Sequence, residues 1–111
     1  MTTISTDARL VTLVNVFTVQ PEQQKALVEV LVRATDEVIQ HVPGFISANI
    51  HASVDGVRVV NYAQWKSADA YRAMLENPAA QEHMREAADL ADGFEPHLYD
   101  VTSVHHTVLD M

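Results

Sequence analysis

Val57-Arg58-Val59-Val60-Asn61-Tyr62-Ala63-Gln64-Trp65 reads as a strand, and side chains along a strand alternate between two faces, so Asn61 and Trp65 share one face with Val57 and Val59. A carboxamide therefore stands in an apolar stripe. Burying an amide without partners costs on the order of 1–3 kcal/mol, so this Asn must find hydrogen bonds inside the fold or offer them to a ligand. Immediately before it, Asp55-Gly56 is a tight-turn pair. Before that, Phe45 to Ser53 alternates Ile46, Ala48, Ile50 and Ala52 against Ser47, Asn49, His51 and Ser53. Asp-Gly between two alternating runs predicts an antiparallel hairpin.

Further out, Leu10 to Val19 collects Val11, Leu13, Asn15, Phe17 and Val19 on one face, which predicts another strand and repeats the anomaly of a lone amide. Gln20-Pro21-Glu22 opens a helix carrying Leu27, Leu31, Ala34 and Val38 to about His41, closed by Val42-Pro43-Gly44. On the other side of the hairpin, Ser67 is placed to cap a short helix with Ala68, Tyr71, Met74 and Leu75. Asn77-Pro78 starts another through about Leu90, ended by Ala91-Asp92-Gly93. The last strand is expected over Leu98 to Val108. The order β-α-β-β-α-β predicts an α+β, ferredoxin-like fold: a four-stranded antiparallel sheet with helices on one face. Hydrophobes on both faces of the second and final strands predict that the uncovered face is buried by face-to-face homodimerisation, giving a dimeric α+β barrel.

Composition bounds the function. With 111 residues a single domain is expected, spanning 1–111 with its core over about 10–108. The short polar start Met1-Thr2-Thr3-Ile4-Ser5-Thr6-Asp7 holds no apolar signal core, and no apolar run approaches the roughly 20 residues of a membrane span. A soluble, cytoplasmic protein is expected, with no membrane partner. The absence of cysteine removes thiolate metal sites and cysteine nucleophiles. Seven basic residues against fifteen acidic give a net charge of −8, which disfavours nucleic acid as a partner. A neutral or aromatic small molecule, or another protein, fits better.

Val42-Pro43-Gly44-Phe45, His51-Ala52-Ser53-Val54-Asp55-Gly56, Val59 to Trp65 and Ala70-Tyr71-Arg72 together resemble the antibiotic biosynthesis monooxygenase family, in particular its anthrone-oxidising members of the actinorhodin type. The resemblance runs from about residue 10 to about residue 103 and is poor from Phe94 onward. It implies a dimeric ferredoxin-like protein that oxidises an anthrone-type aromatic polyketide to a quinone with O2 as co-substrate, using neither metal nor flavin. It also implies Asn61, Trp65 and Tyr71 as catalytic residues, with Asn15 and Arg85 in substrate binding. His51 is a third binding candidate by its nearness to the Asn61 region.

Each of these residues also has a plain structural reading. Asn15 and Asn61 could satisfy a bulge or a helix end. Trp65 could be core with a wet edge, Tyr71 a cover for the sheet, Arg85 a solvated charge, and His51 a solvent-facing ring. Among the six histidines, adjacent His105 and His106 point to opposite strand faces and His41 suits a helix end, so no metal site is expected. Haem-degrading monooxygenases of the same fold carry a second tryptophan where this chain has Met74. Their iron-ligating histidine falls at Met84, with His83 one residue off. A non-oxidative polyketide-binding or cyclase-like dimer is the remaining alternative.

Overall fold

The structure, a computed structural model, describes residues 1–108. Eight-residue β1 (Val11–Thr18) leads through a 3-10 turn at Pro21–Gln23 into helix α1 (Gln24–Glu37). A second 3-10 turn, Ile39–His41, precedes the hairpin of β2 (Phe45–Ala52) and β3 (Arg58–Trp65). Helices α2 (Ala68–Leu75) and α3 (Pro78–Leu90) follow, then β4 (Gly93–Tyr99). The strand order β2-β3-β1-β4, antiparallel throughout, is the ferredoxin-like arrangement. The caps are those the sequence indicates: Ser67 Oγ accepts from the Ala70 N–H at 3.1 Å, and Asn77 Oδ1 from the N–H groups of Ala79 and Ala80. Among the described residues no helix is long and apolar enough to cross a membrane.

The hairpin is antiparallel as expected, but its loop is longer than a two-residue turn. Ser53 N–H donates to the Arg58 carbonyl at 3.0 Å, enclosing Val54 to Val57, with Gly56 at φ +85°. Gln24, the first residue of α1, donates through Nε2 to the carbonyls of Ser53 and Arg58, both at 3.0 Å, and so ties the helix to the base of the loop.

The core lies between the sheet and the helices in two clusters. One gathers Leu13, Ala34, Ile39, Ala63, Trp65, Tyr71, Met74 and Ala80; the other gathers Phe17, Val19, Leu27, Val30, Leu31, Val59 and Ala87. Of the face expected to collect Val11, Leu13, Asn15, Phe17 and Val19, the last four are buried and Val11 is half-buried.

Three expectations are corrected. The last strand begins at Gly93, not Leu98, and of the stretch Leu98–Val108 only Leu98 and Tyr99 are paired. The Asp92 N–H donates to the Thr18 carbonyl at 2.7 Å, so the chain joins β1 as soon as α3 ends. Pro96 is tolerated inside β4 because the strand is at the sheet edge and needs donors toward β1 alone.

The second correction is in β2, where the register skips Ile46: Phe45 faces Trp65 and Ser47 faces Gln64. This bulge puts Phe45, not Ile46, beside Trp65 under the helices.

Third, the face away from the helices is covered at one end by the N-terminal segment, where Gln64 Nε2 donates to the Thr3 carbonyl and Asn49 Nδ2 to Thr2 Oγ1, and its apolar stripe belongs to the central strands. Val14 and Val16 of β1 and Val60 and Tyr62 of β3 form it, all half-buried, while β4 presents Glu95, His97 and Tyr99 there and β2 presents Ser47, Asn49 and His51.

Gly44 connects fold to site. It adopts φ +88°, and a Cβ there would collide with the Ala70 Cβ of α2, while its carbonyl accepts from the Lys66 N–H at 2.8 Å. It thus sets the end of β3, at Trp65, against the first turn of α2, which carries Tyr71. Gly44→Ala is expected to lower unfolding free energy by about 2 kcal/mol or more, from the positive φ and the collision together. Gly93→Ala, where a Cβ meets nothing within 4 Å, is the control, both read by chemical denaturation.

Candidate active site

The registers place Ile50, Asn61, Asn15 and Pro96 in one row across the four strands, on the face under the helices. Asn15 and Asn61 are directly opposite each other. Above them is a pocket of about 560 Å³, counting the space at its mouth. Its floor is made by β1 and β3, with Leu13, Asn15, Phe17, Asn61, Ala63 and Trp65. Its roof and walls come from Leu31, Ile39, Tyr71, Met74, Leu75 and Met84, and Phe45, Ala48, Phe94 and Pro96 complete it along the outer strands.

Among the described residues the lining holds no acidic, basic or imidazole side chain. Its polar groups are two carboxamides, an indole and a phenol. Asn15 Oδ1, Asn61 Oδ1 and Trp65 Nε1 are all buried with no hydrogen-bond partner among the described residues. A buried polar atom left unpaired is costly, and three of the five such atoms among the described residues line this one apolar pocket.

Trp65, 1% exposed, is fixed by its neighbours. The Phe45 ring meets it edge-on at 5.6 Å and 84°, and the Tyr71 ring lies 6.0 Å away at 62°. Burial pushes the Tyr71 phenol above its usual value, so at neutral pH it is a protonated hydroxyl able to donate.

Of the six residues expected at the site, four come together: Asn15, Asn61, Trp65 and Tyr71. The other two are placed elsewhere. His51 lies on the uncovered sheet face opposite Val60, exposed, with Nδ1 3.2 Å from the Asn49 carbonyl. Its parity along β2 excludes it from the pocket side. Arg85 is exposed on α3, where its neighbour Met84 turns inward to the pocket wall.

His83 is also not a lining residue; its Nε2 lies 3.6 Å from Glu37 Oε2 on α1. His105 and His106 are exposed beyond β4. Sequence reasoning missed the contributions of Phe45, Ile39, Phe94 and Pro96 to the wall. For Phe94 the signal was the Ala91-Asp92-Gly93 stop, after which pairing begins at once.

A family model described as antibiotic biosynthesis monooxygenase matches residues 10–86. The chain belongs to the antibiotic biosynthesis monooxygenase family. Tetracenomycin-F1 monooxygenase from Streptomyces glaucescens is 53% identical over 83 residues, which is 75% of this chain and 74% of the relative. Among solved structures, the monooxygenase ActVA-Orf6 of Streptomyces coelicolor, in complex with nanaomycin D, is 34% identical with a TM-score of 0.75, covering 89% of this chain and 92% of that one. SnoaB of Streptomyces nogalater, described as a cofactor-independent oxygenase, is 27% identical with a TM-score of 0.74, covering 87% and 97%. The family match ends at Glu86, so β4 and its two pocket residues lie outside it.

Two outcomes are expected from this geometry. Asn15→Leu replaces an amide whose oxygen has no partner by an apolar group of similar size, so the melting temperature should hold or rise. Tyr71 is harder to ionise folded than unfolded, so as pH rises past about 10 the unfolded chain gains by losing that proton and stability falls. Tyr71→Phe should reduce this alkaline loss, read as melting temperature at pH 8 and pH 11.

Proposed function

We propose that this protein oxidises an anthrone-type aromatic polyketide to a quinone with O2, without metal or flavin. The observation that carries the reading is the set of neutral, partnerless hydrogen-bonding groups around an apolar pocket. A 53% relative that acts on tetracenomycin F1 and a relative described as cofactor-independent support it.

An anthrone is a carbon acid whose anion is delocalised onto oxygen. Among the described residues the pocket lining offers no base, so the reaction relies on making that anion stable, with the proton leaving to solvent at the pocket mouth. Donors held in a dry cavity where negative charge develops do this without reorganising. Asn61 and Asn15 donate through their amide nitrogens, Trp65 through its indole N–H, and Tyr71 through its hydroxyl. The anion passes one electron to O2, and the resulting radical pair forms a C–O bond. Protonation gives a hydroperoxide, and loss of water leaves the carbonyl. One oxygen atom enters the quinone, the other leaves as water, and the substrate CH2 supplies both hydrogens. Asn61 and Trp65 form the central pair in this scheme, with Asn15 and Tyr71 orienting the ring system.

The half-buried apolar stripe of Val14, Val16, Val60 and Tyr62 on the face away from the helices supports a homodimer formed face to face, since such a stripe on central strands is unfavourable in water. Val60→Asp should yield monomers in light scattering if this face is the interface.

The direct test is O2 uptake and quinone formation by chelator-treated protein with tetracenomycin F1 and with a tricyclic anthrone, above the spontaneous rate. Saturable, one-to-one conversion is expected. Asn61→Ala should lower kcat by about 100-fold, the scale of losing one such donor. Binding without O2 uptake would favour the non-oxidative, cyclase-like reading.

A further inference from the structure

Three of the pocket-lining residues are exposed: Leu75, Phe94 and Pro96. They mark where the pocket meets solvent, whereas Trp65, Met74 and Ala63 close the opposite end at 1–2% exposure. Two of the three belong to β4. Phe94 is 52% exposed although its ring lies 5.9 Å from that of Phe17, which is 3% exposed. The open end is thus an aromatic lip continuous with the buried floor.

The cross-strand row gives the lip its distance from the chemistry. Pro96 adjoins Asn15, and Asn15 adjoins Asn61; two strand spacings, about 10 Å, separate Asn61 from Pro96. That span is comparable to a linear three-ring system. A tricyclic substrate anchored at Asn61 ends near Pro96, and a fourth fused ring has to continue over the lip.

The lip is also firmly placed. The Asp92 N–H holds the Thr18 carbonyl at 2.7 Å and the Asp92 carboxylate accepts from Gln20 Nε2 at 2.7 Å, which together pin the start of β4 one residue before Phe94. An exposed phenylalanine on a pinned edge strand has no packing need to remain aromatic on its outer side.

We propose that Phe94, with Pro96, is a specificity-determining platform that stacks the distal ring of a substrate with four or more fused rings. It sets ring number, while the chemistry stays at the asparagine pair; the assignment rests on the proposed oxidation of an aromatic polyketide in this pocket. Stacking against one aromatic face contributes enough to change affinity several-fold.

The test compares wild type, Phe94→Leu and Phe94→Ala with a tricyclic anthrone and with a four-ring anthrone-type substrate. Binding is measured independently of turnover with three-ring and four-ring quinones, through quenching of Trp65, the single tryptophan of the chain. For Phe94→Ala the ratio of four-ring to three-ring KM should rise about five-fold, with kcat for the four-ring substrate little changed and the quinone Kd ratio rising in parallel. Phe94→Leu, which keeps bulk over Phe17 but loses the aromatic face, should fall between and guards against a folding defect in the alanine variant. Equal weakening for both ring sizes, or none, overturns the platform. Wild-type protein that binds the quinones but consumes no O2 overturns the oxidase reading and leaves the Kd ratio to judge the platform alone.

Discussion

The site depends on the antiparallel register of β1 against β3. That register sets Asn15 across from Asn61, Leu13 across from Ala63 and Val11 across from Trp65, all on the face the helices cover. A slip of one residue would exchange this set for Val14, Val60 and Tyr62 and turn every amide to the outside. Buried apolar groups on both sides of the asparagine pair resist such a slip, with Phe17 and Val59 below it and Leu13 and Ala63 above. The hydrophobic core therefore positions the polar site, and the polar atoms themselves add nothing to holding the strands together.

Three orphaned polar atoms in one pocket are a standing cost, each on the order of 1–3 kcal/mol. A fold selected for stability alone would place apolar side chains there. The two clusters of buried residues flanking the pocket offset that cost, and Gly44 holds the strand end and α2 in the relation that keeps Trp65 and Tyr71 in contact. A pocket whose polar groups are all neutral suits a reaction in which the substrate supplies the reducing electrons and the protein supplies a fixed, dry dipolar environment.

Much of this was legible in the chain. Alternation alone singled out Asn15 and Asn61 as amides in apolar stripes, and Ser67 and Asn77 announced their helices through capping chemistry. What escaped shares a physical cause: local pattern does not reveal register. The bulge at Ile46 brings Phe45 to the covered face with no glycine or charge inside the bulge to mark it. Pro96 reads as a strand breaker until the strand is known to be at an edge. Arg85 and Met84 are adjacent on one helix, and only the placement of α3 against the sheet determines which of them meets the pocket. His51 was misplaced because nearness in sequence to Asn61 is not nearness across a two-faced sheet.

The roof of the pocket is partly thioether, from Met74 and Met84. Such side chains adapt well to a flat ring system, but they are also the groups most readily oxidised by a peroxide. If a hydroperoxide forms beneath them, each cycle exposes the roof to its own intermediate. A sulfoxide at either position would set a polar, differently shaped group against the aromatic face of the substrate. Catalytic lifetime would then be counted in turnovers, not hours, and speed in expelling water from the peroxide would protect the protein as well as complete the product.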